Sequence, residues 1–269
     1  MLAIAPDNDG SARRGLPELV WERIARHSHR LLMLDFDGTL APFVADRMQA
    51  SLPAESFGAL QRILRDTGER VAVISGRPLA EIHALLAGLP IHLVGEHGWE
   101  DRMPDGQVRV HEPQGSARWR LAVAGHAARA AGCGAQLERK RASVVLHTRG
   151  LNGEGARKLR RVARLWRILA TRDGMSLDVT NGGYELRAVA RGKHTAVLEL
   201  LNGAAPGALP VFLGDDVTDE DAFRVLRPAG ITIRVGGGER PSAAEWCLDS
   251  PDDVAEFLTR WAELPQETR

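Results

Sequence analysis

Four short apolar runs, each followed at once by a polar residue or a glycine, constrain the fold of this chain more than any other feature. Unbroken apolar runs of this length are typical of parallel strands that are covered on both faces. The runs, with the residues that follow them, are Leu31–Leu34 with Asp35, Val71–Ile74 with Ser75, Ile91–Val94 with Gly95, and Val211–Leu213 with Gly214. Helical patterns between and beyond them fall at about 54–66, 78–87, 193–201, 218–226 and 252–262. This alternation predicts an α/β fold with a doubly wound, Rossmann-like parallel sheet.

The alternation is interrupted between about residues 111 and 190. The patterns in that stretch are helices at about 116–131 and 155–170, a strand at about 137–148 and a hairpin at about 176–189. Asn181-Gly182-Gly183 supplies the hairpin turn, because these residues adopt positive φ at low cost. We therefore expect a core domain formed by residues 1–110 and 191–269, and a smaller inserted α/β domain at 111–190. Residues 1–15 have no periodicity, which predicts a loose tail.

The balance of charges narrows the classes of partner. The 269 residues contain 35 Lys and Arg against 35 Asp and Glu, so no broad positive field attracts nucleic acid or an anionic membrane surface. No apolar run approaches the roughly 18 to 20 residues of a membrane-spanning helix. Cys133 and Cys247 are too few for a disulfide framework, which favours small buried side chains in a reducing compartment. We expect a cytoplasmic protein with a small-molecule partner.

Polar residues at the strand ends are the candidates for a functional site, because ligands of an open parallel sheet bind beyond the carboxyl ends of its strands. Asp35 and Asp37 are two residues apart, and Gly38-Thr39 lets the chain turn so that both acids face one volume. One carboxylate can attack a phosphorus atom, while the other protonates the leaving oxygen and later activates water. A carboxylate is repelled by a phosphate dianion, so this chemistry requires a divalent cation and a fixed positive side chain.

The acidic stretch from Gly214 to Asp221 follows another strand and is the candidate cation site. Mg²⁺ prefers oxygen ligands and is commonly held by one or two carboxylates, and Asp215 lies nearest the strand end. The later acids precede a helix, and they are equally well explained as charges that favour a helix N-terminus. Lys193 opens a helix and is the candidate positive side chain, while Ser75 offers a hydroxyl to a phosphoryl oxygen.

These motifs, in this order, resemble those of the haloacid-dehalogenase-like phosphatases. The matching segments are Asp35-Phe36-Asp37-Gly38-Thr39, Ser75-Gly76-Arg77, Lys193 and Gly214-Asp215-Asp216-Val217-Thr218-Asp219. More narrowly, the chain resembles the trehalose 6-phosphate phosphatase family over about residues 30–258. Further matches are Leu40-Ala41-Pro42, Gly95-Glu96-His97-Gly98, Glu138 with Lys140, Glu185-Leu186-Arg187 and Ile233-Arg234-Val235-Gly236. The resemblance implies Mg²⁺ as cofactor and identifies the inserted domain as a cap that grips a sugar.

The resemblance also implies roles for the acids of the core. Asp35 would be the nucleophile and, through its other oxygen, a ligand of Mg²⁺. Asp37 would be the general acid and base, and its main-chain carbonyl would also reach the metal. Asp215 would complete the protein ligands.

Further residues would position the phosphoryl group and the sugar. Ser75 and Lys193 would hold the transferring phosphoryl group. Asp216 or Asp219 would orient waters and Lys193. The residues implied to meet sugar hydroxyls or phosphate are Arg77, His97, Glu138, Lys140 and Glu185.

The expected activity is Mg²⁺-dependent hydrolysis of trehalose 6-phosphate to trehalose and inorganic phosphate, through an aspartyl-phosphate. A trehalose 6-phosphate synthase would then be a functional partner. Ala188 and His194 stand where the family usually has Pro and Gly, so a phosphatase for another glycosyl phosphate, such as glucosylglycerol phosphate, is an alternative. A non-catalytic regulatory module of a trehalose-synthesising enzyme is a second alternative, against which the intact set Asp35, Asp37, Lys193 and Asp215 speaks.

Overall fold

The chain forms two compact units. A computed structural model describes residues 12–44, 46–66, 70–148, 150–151, 153–172, 174–180, 182–238 and 240–265. One unit combines the described residues up to Arg109 with those from Lys193 onward, and the other runs from Val110 to Gly192. None of the helices in these ranges has the length and apolar character that crossing a membrane requires.

Helices and strands cover most of the described ranges. The helices are α1 (Glu18–Ala25), α2 (Ala54–Asp66), α3 (Leu79–Leu85), α4 (Gly115–Ala130), α5 (Gly153–Ala170), α6 (Lys193–Asn202), α7 (Val217–Leu226) and α8 (Pro251–Ala262). The strands are β1 (Arg13–Arg14), β2 (Arg30–Leu34), β3 (Arg70–Ile74), β4 (His92–Gly95), β5 (Glu100–Arg102), β6 (Val108–Val110), β7 (Leu137–Arg139), β8 (Ser143–His147), β9 (Met175–Thr180), β10 (Gly183–Ala188), β11 (Leu209–Gly214), β12 (Ile231–Val235) and β13 (Trp246–Leu248). All four strands that the apolar runs predict are present, as β2, β3, β4 and β11.

A nine-stranded sheet with the order β1-β13-β12-β11-β2-β3-β4-β5-β6 forms the centre of the first unit. Its strands from β1 to β4 in this order pair in parallel, and β5 turns back antiparallel to β4. The first central strand, β2, lies between β3 and β11, so the direction of winding reverses beside β2. The predicted doubly wound parallel sheet is therefore confirmed, and its switch point lies where ligands of such sheets bind.

The side chains of the central strands alternate between two apolar layers. On β2, Leu32 and Leu34 join one buried cluster, and Leu31 and Met33 join the other. Helices α1, α2, α3 and α8 contribute to the first cluster, and α6 and α7 contribute to the second. Because both faces are covered, every residue of β2 and β11 is buried. This double burial explains why the sequence shows unbroken apolar runs there rather than alternation.

The second unit is a four-stranded antiparallel sheet, ordered β7-β8-β10-β9, with α4 and α5 packed together. The indole of Trp166 on α5 donates to the carbonyl of Ala124 on α4 at 3.1 Å. The predicted single strand at 137–148 is wrong, because the chain reverses after Arg139 and β7 pairs antiparallel with β8. The amide of Lys140 donates to the carbonyl of Ser143 at 3.0 Å, so the charged residues between the strands form a tight turn.

The hairpin of β9 and β10 is confirmed, and the contact of its second strand with β8 depends on a glycine. Asn181 of the predicted turn lies outside the described residues. Gly183 has a φ of +152°, and a Cβ there would overlap the carbonyl of Leu146 on β8. Only glycine therefore lets β10 approach its neighbour this closely.

The expectation of a loose tail over residues 1–15 is wrong for its last residues. Positions 1–11 lie outside the described residues, but β1 pairs in parallel with β13. The amide of Arg13 donates to the carbonyl of Glu245 at 3.1 Å, and that of Gly15 to the carbonyl of Cys247 at 2.8 Å. An edge strand offers backbone partners to any extended segment, so a short segment without apolar periodicity can still form a strand beside β13.

Candidate active site

The carboxyl ends of β2 and β11 bring predicted acids together. Leu34 lies beside Leu213 in the parallel register, and the amide of Asp35 donates to the carbonyl of Leu213 at 2.9 Å. Asp215 comes directly after the last residue of β11. Side-chain oxygens of Asp35, Asp215 and Asp219 all lie within 4.8 Å of one another. Residues far apart in the sequence therefore form one acidic cluster at the edge of the sheet.

Lys193 supplies positive charge to this cluster. Its ammonium group donates to Asp35 Oδ1 at 2.6 Å and to Asp219 Oδ1 at 2.7 Å. Lys193 is the first residue of α6 and is 3% exposed, while Asp35 is 4% exposed and Asp219 is fully buried. A buried ammonium is tolerated here because it has two carboxylate partners. The predicted cation thus contacts the carboxylate predicted to be the nucleophile.

Burial and mutual repulsion set the protonation of the cluster. Burial raises the pKa of Asp35 well above its usual range, and the charges of Asp219 and Asp215 add to this against the attraction of Lys193. Burial also raises the pKa of Asp219. It raises the pKa of Asp215 to about 6, although a hydrogen bond with Asp35 acts to lower that pKa. Burial opposes the charge of Lys193, but Asp219 and Asp35 outweigh it and raise the lysine pKa. Full ionisation of the three carboxyl groups against one ammonium would leave an excess of negative charge, and the raised pKa values reflect the cost of that state.

Asp216 and Asp219 take different positions around the start of α7. The side chain of Asp216 accepts from the amide of Val217 at 2.6 Å and caps the helix. Asp219 Oδ2 reaches back to accept from the amide of Asp216 at 2.9 Å, which completes a capping box. Its Oδ1 receives Lys193. Asp219 is therefore the acid that orients Lys193, and Asp216 closes the helix N-terminus.

Asp215 retains an unused acceptor. Its Oδ1 atom is buried and has no hydrogen-bond partner within the described ranges. Gly38, with a φ of +80°, leaves room for this side chain, because a Cβ at that position would overlap the Asp215 carboxylate. An orphaned buried carboxylate oxygen is costly unless a cation or donor meets it. The position therefore favours a ligand that carries positive charge.

The donor set fits Mg²⁺, which takes carboxylate oxygens. Both oxygens of Asp219 already accept hydrogen bonds, and one oxygen of Asp35 accepts from Lys193. The second oxygen of Asp35 and Oδ1 of Asp215 remain as candidate ligands. A divalent cation at this position would offset the excess negative charge of the cluster.

Asp37 pairs with Arg77, a residue that sequence analysis assigned to the substrate. The guanidinium donates from Nε to Asp37 Oδ2 at 2.6 Å and from a second nitrogen to Oδ1. These hydrogen bonds raise the pKa of Arg77. Arg77 is buried, and its guanidinium lies 5.4 Å from the centre of the Phe36 ring and 3.8 Å from Glu81. Arg77 therefore positions the candidate general acid, a contact that motif spacing alone does not reveal.

Ser75 and His97 lie on adjacent loops after β3 and β4. The buried hydroxyl of Ser75 accepts from the amide of Arg77 at 3.2 Å, and the amide of His97 donates to the carbonyl of Ser75 at 2.9 Å. Glu96 and His97 have φ of 45° and 58°, which is costly for residues other than glycine. The imidazole lies where a Cβ of Gly76 would be. His97 thus packs against the Ser75 loop, and this contact requires the glycine of that loop.

One face of the sheet in the second unit is polar. Glu138, Val145, Glu185 and Asp178 stand directly opposite one another across its four strands, so their side chains share this face. The alternate positions Val144, Leu146 and Leu186 are fully or almost fully buried. The predicted sugar-binding residues Glu138, Lys140 and Glu185 therefore belong to the layer that does not form the apolar core of this unit.

Hydrogen bonds between side chains hold the polar face together. Two of the residues involved, Ser143 and His147, were not predicted by the sequence analysis. Glu185 Oε1 accepts from the Ser143 hydroxyl at 2.6 Å and from Lys140 Nζ at 3.5 Å. Glu138 Oε2 lies 2.8 Å from His147 Nε2. Ser143 and His147 occupy alternate positions of β8, and this period of two is the pattern that could have identified both.

Comparisons with known proteins agree on one family. The chain matches the model of the trehalose-phosphatase family over residues 33–252. It is 34% identical over 243 residues to the trehalose-phosphate phosphatase of Mycobacterium marinum, an alignment that covers 86% of this chain and 61% of that protein. The chain thus spans about three fifths of the length of this curated relative.

Solved structures share the fold. The C-terminal domain of the Candida albicans trehalose-6-phosphate phosphatase is similar with a TM-score of 0.80 at 19% identity, covering 96% of this chain and 100% of that one. The C-terminal domain of the Candida albicans trehalose synthase regulatory protein has a TM-score of 0.68 at 10% identity, covering 93% and 100%. This fold is that of the haloacid-dehalogenase-like phosphatases, and at these identities the structures show the fold alone.

Proposed function

Because the chain belongs to the trehalose-phosphatase family, we propose that it hydrolyses trehalose 6-phosphate to trehalose and inorganic phosphate. The observation that carries this proposal is the buried cluster in which Lys193 contacts Asp35 while Asp215 keeps an acceptor without a partner. A buried cluster with excess charge tends to lower stability, so its presence favours a functional role. The match to the family is the second support.

In the first half of the proposed reaction, a carboxylate oxygen of Asp35 forms a bond to phosphorus as the bond to the sugar oxygen breaks. Asp37 gives its proton to that leaving oxygen. Lys193 and the Ser75 hydroxyl hold the phosphoryl oxygens, and their proximity to Asp35 and Arg77 respectively supports these roles. Protonation of Asp37 weakens both of its hydrogen bonds from Arg77, so proton transfer requires this pair to rearrange.

In the second half, a water attacks phosphorus and the bond from phosphorus to Asp35 breaks. Asp37 takes a proton from the water, which returns both carboxyl groups to their starting states. Bound Mg²⁺, held by Asp35, Asp215 and the main-chain carbonyl of Asp37, would neutralise charge on the phosphoryl oxygens. Asp219 would hold Lys193 beside Asp35, because it accepts a hydrogen bond from the same ammonium group.

The second unit is proposed to act as the cap that recognises the sugar. A disaccharide presents many hydroxyl groups, and paired charged side chains on a sheet face can bind them with directional hydrogen bonds. Glu138, Lys140 and Glu185 lie on such a face. Arg77 and His97 are proposed to act from the first unit, where their packing against Asp37 and Ser75 supports a role near the phosphate.

A functional partner and a cellular location complete the proposal. A trehalose 6-phosphate synthase is the proposed partner, because it would supply the substrate. A cytoplasmic location is proposed because Cys133 and Cys247 are both free and buried, as suits a reducing compartment.

The experiment that tests this function is phosphate release across a panel of phosphomonoesters. The panel contains trehalose 6-phosphate, glucosylglycerol phosphate, glucose 6-phosphate and a small aryl phosphate, each with Mg²⁺ or with chelator. We expect the highest kcat/KM for trehalose 6-phosphate and no release in chelator. A clear preference for glucosylglycerol phosphate would transfer the proposal to the alternative substrate. No release from any ester would favour the regulatory module, whose fold the chain also resembles.

A further inference from the structure

A cavity of about 550 Å³ lies at the carboxyl ends of β11 and β12. Its lining includes Gly38, Asp215, Arg234, Arg240 and the glycines 236–238. Among the described lining residues, Asp215 alone has a role in the proposed reaction, and Asp35, Asp37, Ser75 and Lys193 do not line the cavity. The cavity therefore adjoins the acidic cluster through Asp215 and has its own set of polar groups.

Arg234 brings positive charge to this cavity. It lies on β12 and is 6% exposed. Its Nη2 atom donates to the carbonyl of Gly238 at 2.7 Å, whereas Nε is buried and has no partner within the described residues. Among these residues no carboxylate forms an ion pair with Arg234. A guanidinium in the cavity wall that has no carboxylate partner favours an anionic ligand.

Arg240 adds a second guanidinium. It donates to the main-chain carbonyl of Asp215, and its nearest carboxylate in the described ranges is Glu220 at 3.9 Å. Glu220 already accepts from the Ser242 hydroxyl at 2.9 Å and from the amide of Ala243 at 2.6 Å. The negative charge of Glu220 is therefore shared among several donors, and it offsets Arg240 incompletely.

The glycines between these arginines leave the backbone accessible. A Cβ added at Gly236, Gly237 or Gly238 would have no neighbouring described atom within 4 Å. The Gly236 amide donates to the carbonyl of Leu248 at 2.9 Å, but within the described part of the chain the amides of Gly237 and Gly238 donate to no carbonyl. Unused amides beside guanidinium groups are a common arrangement for binding phosphate and related oxyanions.

We propose that this cavity is a second oxyanion site, which binds inorganic phosphate through Arg234, Arg240 and the glycine amides. That phosphate is the natural occupant rests on the proposed function, because hydrolysis produces phosphate at the adjoining cluster. Binding there would draw the product away from the carboxylates that must be vacant for the next substrate.

Binding of radiolabelled inorganic phosphate to the full chain, measured by equilibrium dialysis in chelator, tests the proposal. Chelator removes the divalent cation through which the carboxylate cluster would hold phosphate, so the binding that remains reports on Arg234, Arg240 and the glycine amides. We expect one phosphate per chain. Gly237→Asp places a negative charge in open space while keeping every described hydrogen bond, and it should weaken binding about tenfold or more. Gly237→Ala is the matched control and should bind like the wild type.

Arg234→Gln provides an independent variant, which should also weaken binding about tenfold or more because it removes the charged donor. Absence of phosphate binding in chelator, or equal binding by the aspartate and alanine variants of Gly237, would overturn the proposal. The test is separate from the proposed function: phosphate binding without trehalose 6-phosphate hydrolysis would retain this site and reject the activity. Hydrolysis without binding in chelator would do the reverse.

Discussion

The acidic cluster of the first unit and the polar face of the second unit hold their charges in opposite ways. In the cluster, Asp35, Lys193 and Asp219 are almost inaccessible to solvent and come from three separate segments. On the polar face, Glu138 pairs with His147 from the adjacent strand, and the His147 side chain is 48% exposed. The first arrangement depends on long-range packing, and the second depends on the register of neighbouring strands.

This difference indicates what each region can tolerate. A buried charge whose partner is removed is left without compensation, whereas a partly exposed charge can turn to water. Removing a charge from the cluster therefore carries a large potential cost in stability, while the Glu138–His147 pair can change its contacts with little effect on the fold. Each of the following predictions tests one side of this comparison.

Lys193→Met should produce the largest loss of stability. It leaves Asp35 and Asp219 buried without their ammonium partner, which we expect to lower the free energy of unfolding by about 3–5 kcal/mol. Chemical denaturation at neutral pH measures this change. Lys158→Met is the matched control, because Lys158 forms an exposed pair with Glu154, and its effect should stay below about 0.5 kcal/mol. Equal effects of the two substitutions would contradict the expected cost of leaving buried carboxylates without their partner.

Asp37→Asn should lower kcat by roughly 10²- to 10⁴-fold, because it removes the proposed general acid and base. Its main-chain carbonyl survives the substitution, so the affinity for Mg²⁺ should remain close to that of the wild type. Steady-state kinetics and calorimetric titration with Mg²⁺ measure the two quantities. A variant that lost Mg²⁺ affinity but kept kcat at saturating metal would be inconsistent with the acid and base role.

Asp215→Asn should change stability in a direction that depends on Mg²⁺. Burial raises the pKa of Asp215 from 3.8 to about 6. The carboxyl group of Asp215 therefore binds a proton more tightly in the metal-free folded protein than in the unfolded chain. The wild type in chelator therefore loses stability as the pH rises from about 4 to about 6. Above pH 6 the variant should be more stable by on the order of 3 kcal/mol.

Unfolding by urea in chelator, at pH 4.5 and pH 7.5, tests this sign. The advantage of the variant should shrink at the lower pH. With saturating Mg²⁺ the wild type gains stability by binding the cation and the order should reverse. A wild type that is more stable than the variant in chelator at pH 7.5 would contradict the claim that the buried, ionised Asp215 destabilises the metal-free fold.

Glu138→Ala should have the smallest effect on the fold and a selective effect on substrate. We expect KM for trehalose 6-phosphate to rise roughly tenfold, with little change for a small aryl phosphate that presents no sugar hydroxyls. Glu112→Ala provides a control, because Glu112 also forms an ion pair in the second unit, with Arg141, but is not one of the predicted sugar residues. Equal increases in KM for both esters would remove Glu138 from sugar recognition.

The central strands were predictable because double burial leaves a strong trace in the sequence. β2, β3, β4 and β11 read as apolar runs that stop at a polar residue or a glycine. The edge strands were missed for the opposite reason. β5 and β6 are three residues long and polar or exposed, and they exist because a neighbouring strand offers backbone partners. Such pairing leaves no periodicity to detect.

Which site residues meet could be predicted only in part. The convergence of parallel strand ends is enough to bring Asp35 and Asp215 together. The pairing of Arg77 with Asp37 and the donation from Arg240 to Asp215 depend on side-chain directions in loops. Loops follow no period that fixes those directions, so these contacts required coordinates. The catalytic roles of all these residues stay predictions.

The central claim is that Asp35 carries the phosphoryl group during each turnover. Rapid acid quench of the wild-type protein with Mg²⁺ and trehalose 6-phosphate, followed by mass spectrometry of its peptides, tests this directly. The account predicts a phosphate on the peptide that contains Asp35, absent in Asp35→Asn, together with loss of phosphate release in that variant. Full turnover by Asp35→Asn, or a phosphate attached to a different residue, would contradict it.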